Sequence, residues 1–173
     1  NGTSVEVPGL QLGCYDEKDP ASLQVLVDNA DAAVVSGYIF AKFAFLRSTA
    51  TRLVVDLYDP LVLENLHYYL DKDMGDRDRL NRHVVEVTND GVRLGDFFLC
   101  GSERQRDFWL GVPAANGRVN PRTYRDDESL RRLLQVRAVR YVQKELGHYF
   151  NNNLVLFLSG MRNYDMAVAL SDY

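Results

Sequence analysis

Short apolar runs alternate with stretches of helical period along most of this chain. Alternation over Ser4–Val7 and the run Leu10–Tyr15 read as strands at the start. Asp19 then stands before Pro20, an N-cap acid followed by proline at the first helical position. Leu23, Leu26 and Val27 give that helix its inward stripe as far as Asn29. Ala32–Tyr38 (AAVVSGY) is a buried strand ending on a Ser-Gly turn, residues 39–50 a helix rich in Phe and Leu, and Arg52–Tyr58 (RLVVDLY) the next strand. Pro60–Asp71 follows as a helix with Asp59 as its expected N-cap. A charged stretch, DKDMGDRDR, breaks the chain before a longer helix over Arg79–Val92. Asp96–Ser102 (DFFLCGS) is a short strand, and Ser102–Gln105 (SERQ) is a capping box that opens a helix ended by Gly111. One more helical turn is closed by Gly117.

The strands are apolar throughout rather than alternating, which suits a parallel sheet covered by helices on both faces. Strand–helix alternation with crossovers of this length predicts a doubly wound, Rossmann-like α/β fold. In such sheets ligands sit beyond the carboxyl ends of the strands. That rule places Ser36, Gly37, Tyr38, Asp56 to Asp59, Gly101 and Ser102 on one rim. After Gly117 the character changes: residues 118–136 are polar and arginine-rich, with a loop at Pro121 leading to a short helix. Arg137–Phe150 has a helical face of Val139, Val142 and Leu146, Asn151–Gly160 a turn and a buried strand, and MRNYDMAVALSDY a last helix. The expected organisation is a Rossmann-like domain over 1–120, a linker over 121–136 and a partial carboxyl-terminal βα unit over 137–173.

Composition narrows the function classes. A net charge of −4 argues against a general binder of phosphate backbones, so no nucleic-acid partner is expected. No apolar run approaches the ~18 residues that would span a bilayer. Cys14 and Cys100 lie far apart and read as small buried hydrophobes in a reducing compartment. His67, His83 and His148 are scattered over helices without a partner at ligand spacing, so no metal is expected. There is no G-x-S-x-G, Walker loop or G-x-G-x-x-G. The tyrosines and Trp109 suit core or rim packing better than stacking platforms.

Three places carry candidate chemistry. Asp59, beside Pro60, is explained by helix capping alone. Asp56, at the end of its strand, either contacts a ligand or closes a local turn. Gly101 and Ser102 either cap their helix or offer amides to an anion, with Arg104 and Arg106 in the first turns adding positive charge.

The wording of the chain goes further than its pattern. DAAVVSGY, RLVVDLYDPLVLENL, RLGDFFLCGSERQRDFWLG and VNPRTYRDDESLRRLL, in that order over residues 5–135, resemble the amino-terminal domain of family four GT-B glycosyltransferases. The resemblance implies metal-independent, retaining transfer of a sugar from a nucleotide sugar to an acceptor hydroxyl, with no cofactor. It implies an acceptor side lined by Ser36, Gly37, Asp56, Tyr58 and Ser102. Gly101, Arg104 and Gly160 become the candidates for an anion or the donor diphosphate. Its partners would be the nucleotide sugar and a sugar or glycan acceptor, and its setting the cytoplasm, at or near a membrane surface. Two departures stand out. The family's opening strand and glycine-rich loop have no counterpart before Val5, and its paired-glutamate donor motif is not found. A shortened gene and the ordered parts of a longer enzyme would both read this way. An incomplete donor side predicts an inactive chain, a surviving sugar-binding or assembly role, and apolar surface covered by self-association into a homodimer.

Overall fold

The computed structural model describes the backbone of residues 10–14, 18–136, 155–160 and 166–170, and side chains over 18–136. Its elements are β1 (Leu10–Cys14), α1 (Pro20–Asp28), β2 (Ala32–Gly37), α2 (Ile39–Lys42), a 3-10 turn (Ala44–Arg47), β3 (Arg52–Asp56), α3 (Leu61–Tyr68) and α4 (Met74–Leu94). They continue with β4 (Phe97–Cys100), α5 (Glu103–Ala115), α6 (Pro121–Asp126), β5 (Leu134–Val136), β6 (Val155–Gly160) and β7 (Met166–Leu170). All the described strands join one sheet in the order β1-β7-β6-β2-β3-β4-β5. From β6 to β5 the pairings are parallel, whereas β7 runs antiparallel to both β6 and β1. The α/β, Rossmann-like architecture expected from the apolar strands is therefore present, with an antiparallel strand added at one side.

The pleat divides the sheet's side chains into two sets. Ala33 and Val35 of β2, Leu53 and Val55 of β3, Phe98 and Cys100 of β4, and Leu134 of β5 belong to one large core. α1 contributes Leu23 and Val27 to it, α2 and the turn after it Ile39, Phe40 and Leu46, α4 Val92 and α5 Trp109. Each Val, Leu, Ile or Phe side chain among these taken out of water contributes about 1.5–3 kcal/mol. The opposite face gathers buried Val34, Val54 and Leu99, with half-buried Phe97 beside them. The described helices of the core lie on the first face. The crossover from β5 to β6 falls in 137–154, so the helix expected over Arg137–Phe150, like the strand expected over Ser4–Val7, lies outside the described residues.

Several local expectations need correction. Residues 39–50 are not one helix, because Phe43 is extended (φ −125°, ψ 97°) and separates α2 from the 3-10 turn. The charged stretch before Arg79 is no break. Asp73 accepts the Asp76 amide as an N-cap, and α4 runs 21 residues with its charges outward and Val84, Val87, Gly91 and Val92 buried. α5 does not stop at exposed Gly111; it continues through Pro113 to Ala115, and Gly117 (φ 72°) then turns the chain. Pro121 opens α6 rather than a loop, capped by a reciprocal Asn120–Thr123 box.

Residues 127–133, between α6 and β5, are not helical. Asp127 accepts from the Ser129 amide and hydroxyl and from the Arg132 amide, which tightens a turn leading into β5. Met166–Leu170 is a strand, not a helix, because MAVAL pairs along β6. The tail thus supplies β6 and β7 to the same sheet as the amino-terminal strands, and the stretch read as a linker supplies α6 and β5.

Glycine spacing sets how closely α4 approaches β3. A Cβ on Gly95 would lie 2.6 Å from Val55 Cγ2 and 2.7 Å from Phe98 Cε1. Neither neighbour can retreat in a filled core, so Gly95→Ala is expected to destabilise the fold by about 1–3 kcal/mol, measured by urea unfolding.

Candidate functional site

β2 and β6 end alike, in AAVVSG and VLFLSG. They pair in register, Ser36 with Ser159 and Gly37 with Gly160. On its other side Ser36 pairs with Asp56, and Asp56 with Leu99 of β4. In-register neighbours share a face, so Ser36 and Asp56 extend the Val34–Val54 line towards the strands' carboxyl ends. The strand order also turns back here. From β2 the chain runs outward through β3, β4 and β5, then returns to lay β6 on the free side of β2. Such a turning point is where open α/β sheets hold ligands.

Gly37 lies in the left-handed region (φ 63°), which lets the chain leave β2 sharply into Tyr38 and α2. Tyr38 is placed by its neighbours. Its hydroxyl accepts from Asn65 Nδ2 at 2.6 Å, and its ring stacks on His83 with centroids 6.0 Å apart. Asn65 is half-buried, while Leu63 and Leu66 of α3 and Leu70 just after it are exposed. Asp59 does not cap this helix. Pro60 occupies the N-cap position with ψ 68° and the helix starts at Leu61, one residue too late for the Asp59 carboxylate to reach. Asp19 does hold the N-cap position of α1, without a side-chain bond.

Asp56 closes a local turn, its Oδ1 accepting the Tyr58 amide at 3.0 Å. Among the described residues no other donor reaches the carboxylate, so its second oxygen keeps its capacity to accept. Burial pushes the Asp56 carboxyl above the usual range, the Tyr58 amide partly offsets this, and the Asp59 charge adds to the rise. Burial likewise raises Asp59, and burial together with Asp59 raises Glu64. The rim beside β3 is therefore acidic.

The β4 side is built around Gln105. Ser102 caps α5, accepting the Gln105 amide at 3.2 Å as expected. The Gln105 side chain does not return to the Ser102 amide. Its Oε1 accepts from the Gly101 amide at 2.7 Å, and its Nε2 donates to the Tyr58 carbonyl at 2.9 Å. The Gly101 amide is thus engaged within the protein. Arg104 is exposed, whereas buried Arg106 turns away from the rim, donating to the Leu134 carbonyl at 3.0 Å and to the Ser129 carbonyl. Cys100 is buried, and burial raises its thiol pKa. No group of three His, Cys, Asp or Glu side chains suited to a metal occurs among the described residues. No described helix is long and apolar enough to cross a membrane.

The structure brings together Ser36, Gly37, Asp56 and Gly160, the last expected on a separate unit. Tyr58, Gly101 and Ser102 adjoin them through the β3 and β4 loops. Sequence reasoning missed Ser159 and the reach of Gln105. The repeated Ser-Gly strand ending was a visible signal for the first, while nothing local announces that Gln105 meets the Tyr58 carbonyl.

A family described as Domain of unknown function (DUF8754) matches residues 129–173, the stretch that supplies β5, β6 and β7. No curated protein matches the chain, and no solved structure does.

Asp56 makes a signed prediction. A folded-state pKa above the unfolded value means that the fold binds the proton more tightly, so the ionised carboxylate opposes folding at neutral pH. That opposition fades as pH falls through the raised pKa. Asp56→Asn is expected to raise Tm at pH 7, the gain shrinking towards zero as pH drops through the carboxylate range, followed by calorimetry. An equal gain at every pH would contradict it.

Proposed function

We propose that this chain is a glycosyltransferase-like, doubly wound module of GT-B type that holds a polyhydroxylated acceptor at the rim of its parallel sheet. The observation that carries this reading is the Ser36–Asp56 pair beside Ser159 and Gly160, where the strand order turns back. A carboxylate with one oxygen fixed by an amide and the other open suits a sugar hydroxyl, which donates one hydrogen bond. Ser36 adds a second polar contact on the same face, and Tyr58 and Ser102 lie on the neighbouring loops. In a full transfer reaction Asp56 would orient the acceptor hydroxyl, and the donor would be a nucleotide sugar. On this reading the protein works in the cytoplasm, at or near a membrane surface.

A second reading, a non-catalytic sugar-binding or assembly module, is favoured by the lack of the paired-glutamate donor motif. Diphosphate binding needs several convergent amides and cations. Here the Gly101 amide already serves Gln105, and Asp56, Asp59 and Glu64 add negative charge. One helix end contributes about 0.3–1 kcal/mol to an exposed anion, whereas micromolar affinity needs about 8 kcal/mol. The two readings share the acceptor rim and differ on turnover.

Amide spectra recorded with glucose, maltose, UDP-glucose and GDP-mannose test the rim. The sugars are expected to shift signals of residues 36–38 and 56–58 with millimolar affinity, and Asp56→Asn to weaken them about tenfold, the worth of one hydrogen bond to a charged group. The nucleotide sugars should bind no more tightly than the sugars. Sugar shifts confined to other surfaces would contradict the proposal, and micromolar binding of a nucleotide sugar would remove the second reading.

A further inference from the structure

Tyr58 is held on both sides of its peptide. Its amide donates to Asp56 at 3.0 Å, and its carbonyl accepts from Gln105 Nε2 at 2.9 Å. The other end of the same Gln105 side chain accepts the Gly101 amide at 2.7 Å. The ring of Tyr58 lies against Gly101 so closely that a Cβ there would come within 2.8 Å of two ring carbons. One residue earlier, the Leu57 amide donates to the Leu99 carbonyl at 2.8 Å. The loops after β3 and β4 are therefore joined at three places, and among the described residues Gln105 makes the only side-chain hydrogen-bond bridge between them. A helix cap needs none of this, since Ser102 already accepts the Gln105 amide.

We propose that Gln105 is a positioning residue for Asp56: by bridging the Gly101 amide and the Tyr58 carbonyl it holds the Tyr58 amide against the carboxylate and aims the open oxygen at the rim. The inference rests on the reading of Asp56 as the acceptor contact, but its test needs no ligand. The Tyr58 amide bonds the ionised carboxylate and so lowers its pKa. Losing the bridge lets the Tyr58 peptide turn and removes that bond. The other titratable groups coupled to Asp56 are Asp59 on its own loop and Cys100 on β4, and neither bonds Gln105.

Carbon NMR titration of the Asp56 carboxyl reads the effect directly. In Gln105→Met, which keeps the length and removes both bonds, the midpoint is expected to rise by about half a pH unit or more. Val112→Ala, on the packed side of the same helix, should lower Tm while leaving the Asp56 midpoint in place. Should Gln105→Met fail to fold, Gln105→Asn, too short to span both partners, takes its place with the same expected rise. An unmoved Asp56 midpoint in the folded Gln105 variant, or an equal rise in Val112→Ala, would overturn the proposal. A rise in the Gln105 variant together with no sugar binding at the rim would leave the positioning role standing and remove the acceptor reading instead.

Discussion

The rim depends on the register in which β2 is held between β3 and β6. Parallel pairing aligns Ala33 with Leu53 on one side and with Leu156 on the other, and the same alignment continues to Ser36, Asp56 and Ser159. Side chains alternate between faces, so a slip of one residue would send Ser36 to the face of Ala33 and Val35 and bring a valine to the rim. Such a slip would turn the Ser36 hydroxyl towards the apolar core of Ala33 and Val35, and that cost opposes it. The polar ending of the strand is positioned by the apolar residues that precede it.

Helix packing on the first face supports that register from behind. α4 approaches β3 closely enough that Gly91 lies against Phe40 and Gly95 against Val55. At the start of the strands Asp96 accepts the Leu53 amide at 2.9 Å and its own amide donates to the Leu53 carbonyl, which fixes β4 beside β3. At the far end Gln105 ties the β3 and β4 loops together. The loops that carry Asp56 and Gly101 are thus anchored at both ends of their strands.

Much of this was legible in the sequence, for identifiable reasons. β2, β3 and β4 are short β-branched or aromatic runs, and their positions follow from composition. Ser102 announces itself through the S-x-x-Q spacing. What stayed hidden came from competition between local signals and tertiary contact. Asp59 beside Pro60 has the composition of a cap, yet the backbone at Pro60 is not helical. The acids and arginines before Arg79 looked like a break because they sit on the solvent side of α4. MAVAL has enough alanine and methionine to suggest a helix, but the partner strand decides its conformation. The join of β6 to β2 could not be seen locally at all, since it links residues more than a hundred positions apart in sequence.

The most direct test of this account is the backbone proton contacts across β2 and β6 in a nuclear Overhauser spectrum of isotope-labelled protein. The predicted result is a parallel ladder linking residues 32–37 to 155–160, with Ser36 beside Ser159 and Gly37 beside Gly160. A ladder displaced by one residue, or β2 contacts to β3 with none to β6, would contradict it.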